Sequence, residues 1–272
     1  MGFCWQDQGH VAVSGVALEY ACYGPPPNKA ATIIMLHEGL GCVALWRDVP
    51  QKLAEATGLG GFVYSRQGYG TSDPVTLPRS LDFMTHEAVD VLPEVLDVIG
   101  FRQGILMGHS DGATVAAINC GSISDHRVRG LVLLAPHFFT EDIGLASIAK
   151  ARNRFETGDL RSKLAKYHDD PNGAFLGWND VWLHPQFLAW DVTEVIDYIR
   201  VPILAIQGRQ DQYGTLAQIE VIAERAYCPV DLLVVEDCGH SPHLEQAGNV
   251  LAEITQFATR LARIEAAMVE TG

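Results

Sequence analysis

The sequence has no long apolar stretch and no excess of positive charge. No run of apolar residues approaches the roughly 18 that a membrane-spanning helix needs. Nineteen Lys and Arg residues stand against 33 Asp and Glu residues, which gives a formal net charge of −14. Such an acidic chain is a poor partner for nucleic acid and for anionic membrane surfaces. We therefore expect neither nucleic acid nor a membrane as its partner.

Paired cysteine motifs are also missing. The six cysteines are scattered, and no two of them form a C-x-x-C pair. This usage is typical of free thiols in a reducing compartment, and it predicts no zinc site or other metal site. The first residues lack the basic region followed by an apolar stretch that marks a secretion signal. We therefore predict a cytoplasmic protein.

The chain also lacks internal repeats and low-complexity tracts. With 272 residues, of which 48% are hydrophobic, it can bury a large core. This size suits one large α/β domain with an insertion better than two separate domains. Nothing in these numbers fixes the oligomeric state, and a homodimer stays open.

Short apolar runs rich in β-branched residues alternate with helical patterns along the chain. A hairpin is predicted over 11–23, and helices over 46–57, 85–99 and 244–264. Continuous apolar strands are typical of a parallel sheet that is buried on both faces. The pattern predicts an α/β fold with a mostly parallel twisted sheet and helices on both faces. The predicted strands after the hairpin cover residues 31–37, 61–66, 104–107, 130–135, 201–207 and 230–235.

The alternation of strands and helices is interrupted once. Between residues 136 and 200 there is no strand signal, only helical stretches broken at Gly158, at 171–173 and at Pro185. We predict a core domain formed by residues 1–138 and 199–272. Residues 139–198, called the cap segment below, would form a helical insertion over the carboxyl edge of the sheet, where open α/β folds bind ligands.

The segment 108–112, Gly-His-Ser-Asp-Gly, stands where a predicted strand meets a predicted helix. In a turn this tight the serine adopts strained backbone dihedrals, and glycines two residues to either side avoid Cβ clashes. The hydroxyl of Ser110 is then held at the sheet edge, over a helix N-terminus that favours a developing anion. The pattern predicts a nucleophilic serine.

A serine nucleophile needs a base, and the base needs an orienting acid. Asp211 follows one predicted strand and His240 follows the next, so both lie at the same sheet edge as Ser110. Asp237 is the rival acid and His243 the rival histidine. The chain order serine, acid, histidine favours Ser110, Asp211 and His240 as the catalytic set.

An acyl-transfer site also needs backbone amides that stabilise an oxyanion. One donor is expected from Asp111, the residue after the serine. The other is expected from the glycine-containing loop 37–41, with Gly39 as the candidate. An ordinary glycine turn is the alternative explanation for this loop. His109, beside the serine, is expected to point away from the site and to be structural.

Taken together, the segments 36–41, 65–72, 108–112, 208–211 and 239–240 resemble the α/β-hydrolase superfamily, in particular its capped esterases and carbon–carbon bond hydrolases. The resemblance implies the α/β-hydrolase fold and a serine hydrolase that needs no cofactor. Two positions depart from the usual pattern. Glu38 stands where the family usually has glycine, and Asp111 stands where ring-cleavage-product hydrolases more often have methionine.

The cap segment is rich in aromatic residues, which number nine in sixty against 8% for the whole chain. They indicate either an apolar, aromatic-lined acyl pocket or packing of the cap segment itself. A basic cluster from Lys150 to Lys166 favours either a solvated helix face or a site for a substrate carboxylate or phosphate. The residues expected to contact substrate are Glu38, His137, Phe138, Trp178 and Trp182.

The function predicted from these residues is hydrolysis of a small, apolar or aromatic carboxylic ester, with a small molecule as the partner. Carbon–carbon bond hydrolysis of ring-cleavage products would use the same catalytic set. Thioester hydrolysis is a further alternative. A non-enzymatic ligand receptor on the same fold is the alternative from a different functional class.

Overall fold

The computed structural model describes residues 3–5 and 8–270 of the chain. Within these residues, eight strands form one sheet in the spatial order 1-2-4-3-5-6-7-8. The strands are β1 (Gln8–Val13), β2 (Val16–Tyr23), β3 (Thr32–Leu36), β4 (Gly60–Tyr64), β5 (Gly104–His109), β6 (Val128–Leu134), β7 (Ile203–Gly208) and β8 (Val230–Val235).

The sheet is antiparallel only at the edge formed by β1 and β2, and strands β3 to β8 run parallel. The hairpin between β1 and β2 turns at Ser14 and Gly15, whose φ angles are 47° and 81°. Two successive positive φ values are what a tight turn between twisted strands requires. The predicted hairpin and the mostly parallel sheet are therefore both confirmed.

Helices cover both faces of the sheet. Those of the core are α1 (Val49–Thr57), α2 (Phe83–His86), α3 (Leu92–Val98), α4 (Asp111–Ser122), α8 (Ala217–Arg225), α9 (Pro242–Glu245) and α10 (Ala247–Glu270). Those of the cap segment are α5 (Asp142–Thr157), α6 (Leu160–Leu164) and α7 (Pro171–Trp182).

Two predicted helices are divided in the structure. A π-helical turn, Glu87–Val91, connects α2 to α3, whose second residue is Pro93. Proline has no amide hydrogen to donate, so the regular α-helical bonding pattern changes around it. The predicted helix over 244–264 is likewise divided into α9 and α10, which meet at Gln246.

The side chains of each parallel strand alternate between two hydrophobic layers. On β3, Ile34 and Leu36 belong to the layer that includes α2, α3, α4 and the cap segment. Ile33 and Met35 belong to the opposite layer, with α1 and α10. Because both faces are covered, the parallel strands are largely apolar, and polar side chains collect in the loops at the carboxyl edge.

The cap segment follows β6 and precedes β7, as predicted. All of its residues are described, and its only strand-like pairing is a single bridge between Phe139 and Asp191. Hydrogen bonds join it to the core. The Ser147 hydroxyl donates to the carbonyl of Gln212 at 2.7 Å, and the amide of Asp169 donates to the carbonyl of Gly70 at 2.9 Å. These bonds hold the cap segment over the loops at the carboxyl edge.

Candidate active site

Ser110 occupies a sharp turn between β5 and α4. Its backbone has φ 54° and ψ −121°, a conformation that non-glycine residues rarely adopt. A Cβ atom on Gly108 would lie 2.2 Å from the carbonyl oxygen of Gly112, and one on Gly112 would lie 2.1 Å from that of Leu36. The two glycines therefore permit the close backbone approach that the turn requires, as predicted.

The structure brings Ser110, His240 and Asp211 together. The Oγ atom of Ser110 lies 2.9 Å from Nε2 of His240, and Nδ1 of His240 lies 2.9 and 2.8 Å from the two carboxylate oxygens of Asp211. A carboxylate only accepts, so Nδ1 carries the proton and donates it. Nε2 is then free to accept the proton of the serine hydroxyl.

Asp211 is held as a carboxylate. Its side chain is 1% exposed, and it accepts hydrogen bonds from Nε2 of Gln207 at 2.8 Å and from the amide of Tyr213 at 2.8 Å. Burial raises the pKa of Asp211, but the hydrogen bond and charge of His240 outweigh burial, so the pKa is below its usual value. The rival acid Asp237 is exposed, and the structure brings Asp211 to His240.

Glu245 fixes the loop that carries His240. Its carboxylate accepts hydrogen bonds from the amides of Gly239 and Ser241, at 2.8 and 2.9 Å. The two amides flank His240 on either side, so the bonds restrict the direction of the imidazole. Sequence reasoning missed Glu245, because a glutamate in the first turn of a helix is common and carries no signal of this contact.

His109 lies beside His240, with the two ring centroids 5.1 Å apart. Its Nε2 donates to the backbone carbonyl of His240 at 2.7 Å, and its Nδ1 lies 3.5 Å from a carboxylate oxygen of Glu38. Burial raises the pKa of Glu38, but His109 outweighs burial and holds that pKa well below its usual value. The sequence predicted a structural role for His109, and the contacts connect that role to the placement of His240.

The loop after β3 is held by Arg66. Its guanidinium donates to the backbone carbonyls of His37 at 2.5 Å and Glu38 at 2.9 Å, and its amide donates to Nε2 of His37 at 3.0 Å. Burial, followed by the charge of Arg66, lowers the pKa of His37 far below its usual value, so the imidazole is neutral. The loop that carries Gly39 is thereby fixed in place.

Gly39, Ser110 and Asp111 line one cavity of about 100 Å³. A Cβ atom on Gly39 would lie 2.2 Å from Nε1 of Trp178, so glycine is needed here for close approach to the cap segment. Glu38, His137, Trp178 and Trp182, four of the residues expected to contact substrate, also line this cavity.

Phe138 is not brought to the cavity, and this expectation is corrected. Its side chain is fully buried in the core, and its amide donates to Oε1 of Gln218 at 2.7 Å. The next residue, Phe139, lines the cavity instead. Neighbouring side chains in an extended segment point to opposite sides, and the sequence did not indicate which of the two would face the cavity.

The aromatic residues and the basic cluster of the cap segment each had two explanations in the sequence. Phe155 and Phe175 stack at 3.9 Å inside the cap segment, so these aromatic residues serve packing. The basic cluster is largely solvated and paired with acids, since Arg152 bonds Asp180 and Lys163 lies 2.7 Å from Asp159. No Lys or Arg is among the residues that line the cavity.

Residues 3–5 and 8–270 contain neither a candidate membrane span nor a candidate metal-binding cluster. No helix in this range has the length and apolar character needed to cross a membrane. In the same range, no group of three or more His, Cys, Asp or Glu side chains is placed to hold a metal ion.

Comparison with known proteins gives a consistent result. The model of the alpha/beta hydrolase family matches residues 33–254. A bifunctional esterase/perhydrolase of Acinetobacter calcoaceticus is 26% identical over 231 residues, which are 73% of this chain and 80% of that protein. These matches support hydrolase activity of the alpha/beta hydrolase type.

Solved structures show the same fold. The enol-lactonase of Burkholderia xenovorans LB400 superposes with a TM-score of 0.72 at 18% identity, and the match covers 92% of this chain and all of that one. A meta-cleavage product hydrolase of Pseudomonas fluorescens IP01 superposes with a TM-score of 0.71 at 21% identity, and covers 92% of this chain and 96% of that one.

Proposed function

The chain belongs to the alpha/beta hydrolase family, and on this premise we propose that it is a serine hydrolase that cleaves a small carboxylic ester through an acyl-enzyme. The observation that carries the proposal is the pair of hydrogen bonds from Ser110 to His240 and from His240 to Asp211. They give the serine a base of the correct tautomer, at the rim of a cavity that can admit a substrate.

In the proposed reaction, Oγ of Ser110 attacks the ester carbonyl while Nε2 of His240 takes the hydroxyl proton. The resulting imidazolium gives this proton to the departing alkoxide, and an acyl-enzyme remains. A water molecule then gives its proton to His240 and attacks the acyl carbon. The carboxylic acid leaves, and the proton returns to Ser110.

The negative oxygen of each tetrahedral intermediate needs fixed donors. We assign this role to the backbone amides of Gly39 and Asp111, because both residues line the cavity beside Ser110. Asp111 is the first residue of α4, so its amide lies at the positive end of that helix.

The size and lining of the cavity favour a small ester. About 100 Å³ is little space for the bound part of a substrate. Trp178, Trp182 and Tyr213 give the cavity aromatic walls, which suit a compact apolar group.

Carbon–carbon bond hydrolysis would use the same three residues, but the charges of the cavity weigh against it. Its lining includes the acidic residues Glu38, Asp111 and Glu141 and no Lys or Arg. The products of aromatic ring cleavage carry a carboxylate, and coenzyme A thioesters carry phosphates. Without a cation in the lining, such anions would be repelled, so a carboxylic ester is the better substrate.

The test is hydrolysis of a short-chain aryl ester by the wild type and by Ser110→Ala. We expect the variant to lose at least about 10⁴-fold in kcat. Ser162→Ala, which removes an exposed hydroxyl in the cap segment, is the matched control and should be unaffected. Strong turnover of a ring-fission product with negligible esterase activity would overturn the proposal.

A further inference from the structure

Three carboxylates line the cavity, and one of them, Glu141, is hydrogen-bonded within the protein. Glu141 accepts hydrogen bonds from the amide and hydroxyl of Thr215, at 2.9 and 2.6 Å, and from Nε2 of Gln218 at 2.7 Å. Glu38 faces the imidazole of His109 at 3.5 Å. The third, Asp111, differs from both.

One oxygen of the Asp111 carboxylate is buried without a donor, in the described part of the chain, that completes a hydrogen bond. The residue is 1% exposed, and its Oδ2 atom has no hydrogen-bond partner among the described residues. Burial raises the pKa of Asp111 above its usual value, against the influence of Arg66 and of the Trp182 indole. The terminal nitrogens of Arg66 donate to the carbonyls of His37 and Glu38 instead.

Trp182 is a cap-segment side chain that interacts with this carboxylate and lowers its pKa against the larger effect of burial. Its indole nitrogen is also buried and completes no hydrogen bond of ordinary geometry within the described residues. Both Trp182 and Asp111 line the cavity. Oδ2 of Asp111 and the indole nitrogen of Trp182 therefore interact without completing a hydrogen bond, at the boundary between α4 and the cap segment, where a bound substrate would lie.

A buried carboxylate oxygen without a completed hydrogen bond is costly, and a ligand that brings a charged N–H group removes that cost. The walls of the cavity favour the same kind of ligand. The faces of Trp178, Trp182 and Tyr213 attract a cation, and no Lys or Arg in the lining would repel it.

Resting on the serine hydrolase proposed above, we infer that the ester carries a positively charged amino group on its acyl part, and that the Asp111 carboxylate binds this group. The position on the acyl part follows from the cavity. Asp111 lines the same cavity as Ser110 and lies within electrostatic reach of His240, so its carboxylate is close to the carbonyl that the serine attacks. In an amino acid ester, the ammonium group is attached to the carbon next to the ester carbonyl, which places it close to Asp111.

The experiment compares three benzyl esters of similar shape at about pH 6.5, below the pKa of an α-amino group. The alanine ester carries an ammonium group, the isobutyrate ester a methyl group and the lactate ester a neutral hydroxyl at the same position. We expect kcat/KM for the alanine ester to exceed that of each neutral ester by about tenfold to hundredfold.

Asp111→Asn tests the residue itself. The ratio of kcat/KM between the alanine and isobutyrate esters should fall toward one, whatever happens to the absolute rates. Asp142→Asn removes an equal charge from the exposed first turn of α5 and leaves the cavity lining intact, so it should keep the wild-type ratio.

A second measurement does not depend on the folding of the variant. Hydrolysis of the isobutyrate ester by the wild type should be inhibited more strongly by 2-aminopropan-1-ol than by the isosteric 2-methylpropan-1-ol. Equal inhibition by these two alcohols would contradict a cation site.

The outcomes separate this inference from the proposed function. Equal cleavage of all three benzyl esters, or a lactate ester as good as the alanine ester, overturns the inference and leaves the serine hydrolase standing. The enzyme could instead prefer butyrylcholine over 3,3-dimethylbutyl butyrate and show no preference for the alanine ester. This result would place the positive charge on the alcohol part of the ester and overturn its assignment to the acyl part. No cleavage of any ester and no reaction at Ser110 would overturn both.

Discussion

His109 donates a hydrogen bond from Nε2 to the backbone carbonyl of His240, at 2.7 Å and across 131 residues of the sequence. The residue immediately before the proposed nucleophile thus supports the loop that carries its base. Glu245 bonds the amides on both sides of His240. The position of the imidazole is therefore set by backbone contacts as well as by Asp211.

Replacing His109 by phenylalanine tests this support. His109→Phe keeps a ring of similar size and removes the donor, so we expect kcat to fall by about tenfold with KM little changed. His109→Gln retains a donor and should recover part of the loss. His126→Phe, at an exposed histidine, is the control. An unchanged kcat in His109→Phe would show that the bond does not position His240.

The identity of the acid can be tested by comparing two aspartates. Asp211→Asn should lower kcat by about 10³- to 10⁴-fold, because an amide donates toward Nδ1 and favours the wrong tautomer of His240. Asp237→Asn should have nearly normal kinetics. Steady-state rates on one aryl ester suffice, and the reverse order of effects would assign the acid to Asp237.

Close contact between Gly39 and Trp178 predicts a coupled pair of substitutions. In Gly39→Ala the new Cβ would lie 2.2 Å from the indole nitrogen, so the loop or the indole must move and kcat/KM should fall by about tenfold or more. Combining it with Trp178→Phe should restore part of the loss, since a smaller ring leaves room. Gly248→Ala, which meets nothing within 4 Å, is the control. If the two substitutions lowered kcat/KM additively, the contact between Gly39 and Trp178 would not be the cause of the loss.

Buried neutral histidines predict that stability decreases toward acid pH. Burial lowers the pKa of His137 to about 3 and those of His37 and His243 well below their usual value. In the unfolded chain these histidines bind protons below about pH 6.5, but in the folded protein they do not. Each should therefore remove about 1.4 kcal/mol from the free energy of unfolding per pH unit below that value.

Urea unfolding of the wild type and of His137→Gln, at several values between about pH 7 and pH 5, measures this slope. In the variant, the free energy of unfolding should fall less steeply as the pH decreases, because the contribution of one histidine is removed. The pKa of His137 in the folded protein is about 3, so this histidine contributes over the whole range. A free energy of unfolding that does not change over this range would contradict the assignment.

The strands and the catalytic candidates were predictable from the sequence for a physical reason. Continuous apolar runs mark buried parallel strands, and residues that follow such strands must meet at one edge of the sheet. Ser110, Asp211 and His240 each follow a strand, so their convergence could be expected without coordinates. The elbow glycines were recognisable because the turn leaves no space for a Cβ atom.

Other parts depended on contacts that the sequence does not encode locally. Whether Phe138 or Phe139 faces the cavity depends on the register of an extended segment. Glu245 and Arg66 act through hydrogen bonds to the backbone of loops nearby in space. No sequence pattern marks these contacts. The environment of Asp111 depends on its burial and on Trp182, which packs against Phe187 and Trp190 of the cap segment.

The central claim is that Ser110 is a nucleophile activated by His240, and the most direct measurement is labelling with a fluorophosphonate followed by peptide mass mapping. The account predicts one adduct, on the peptide that contains Ser110, and much slower labelling of His240→Ala. An adduct elsewhere, no adduct, or a labelling rate that His240→Ala leaves unchanged would contradict it.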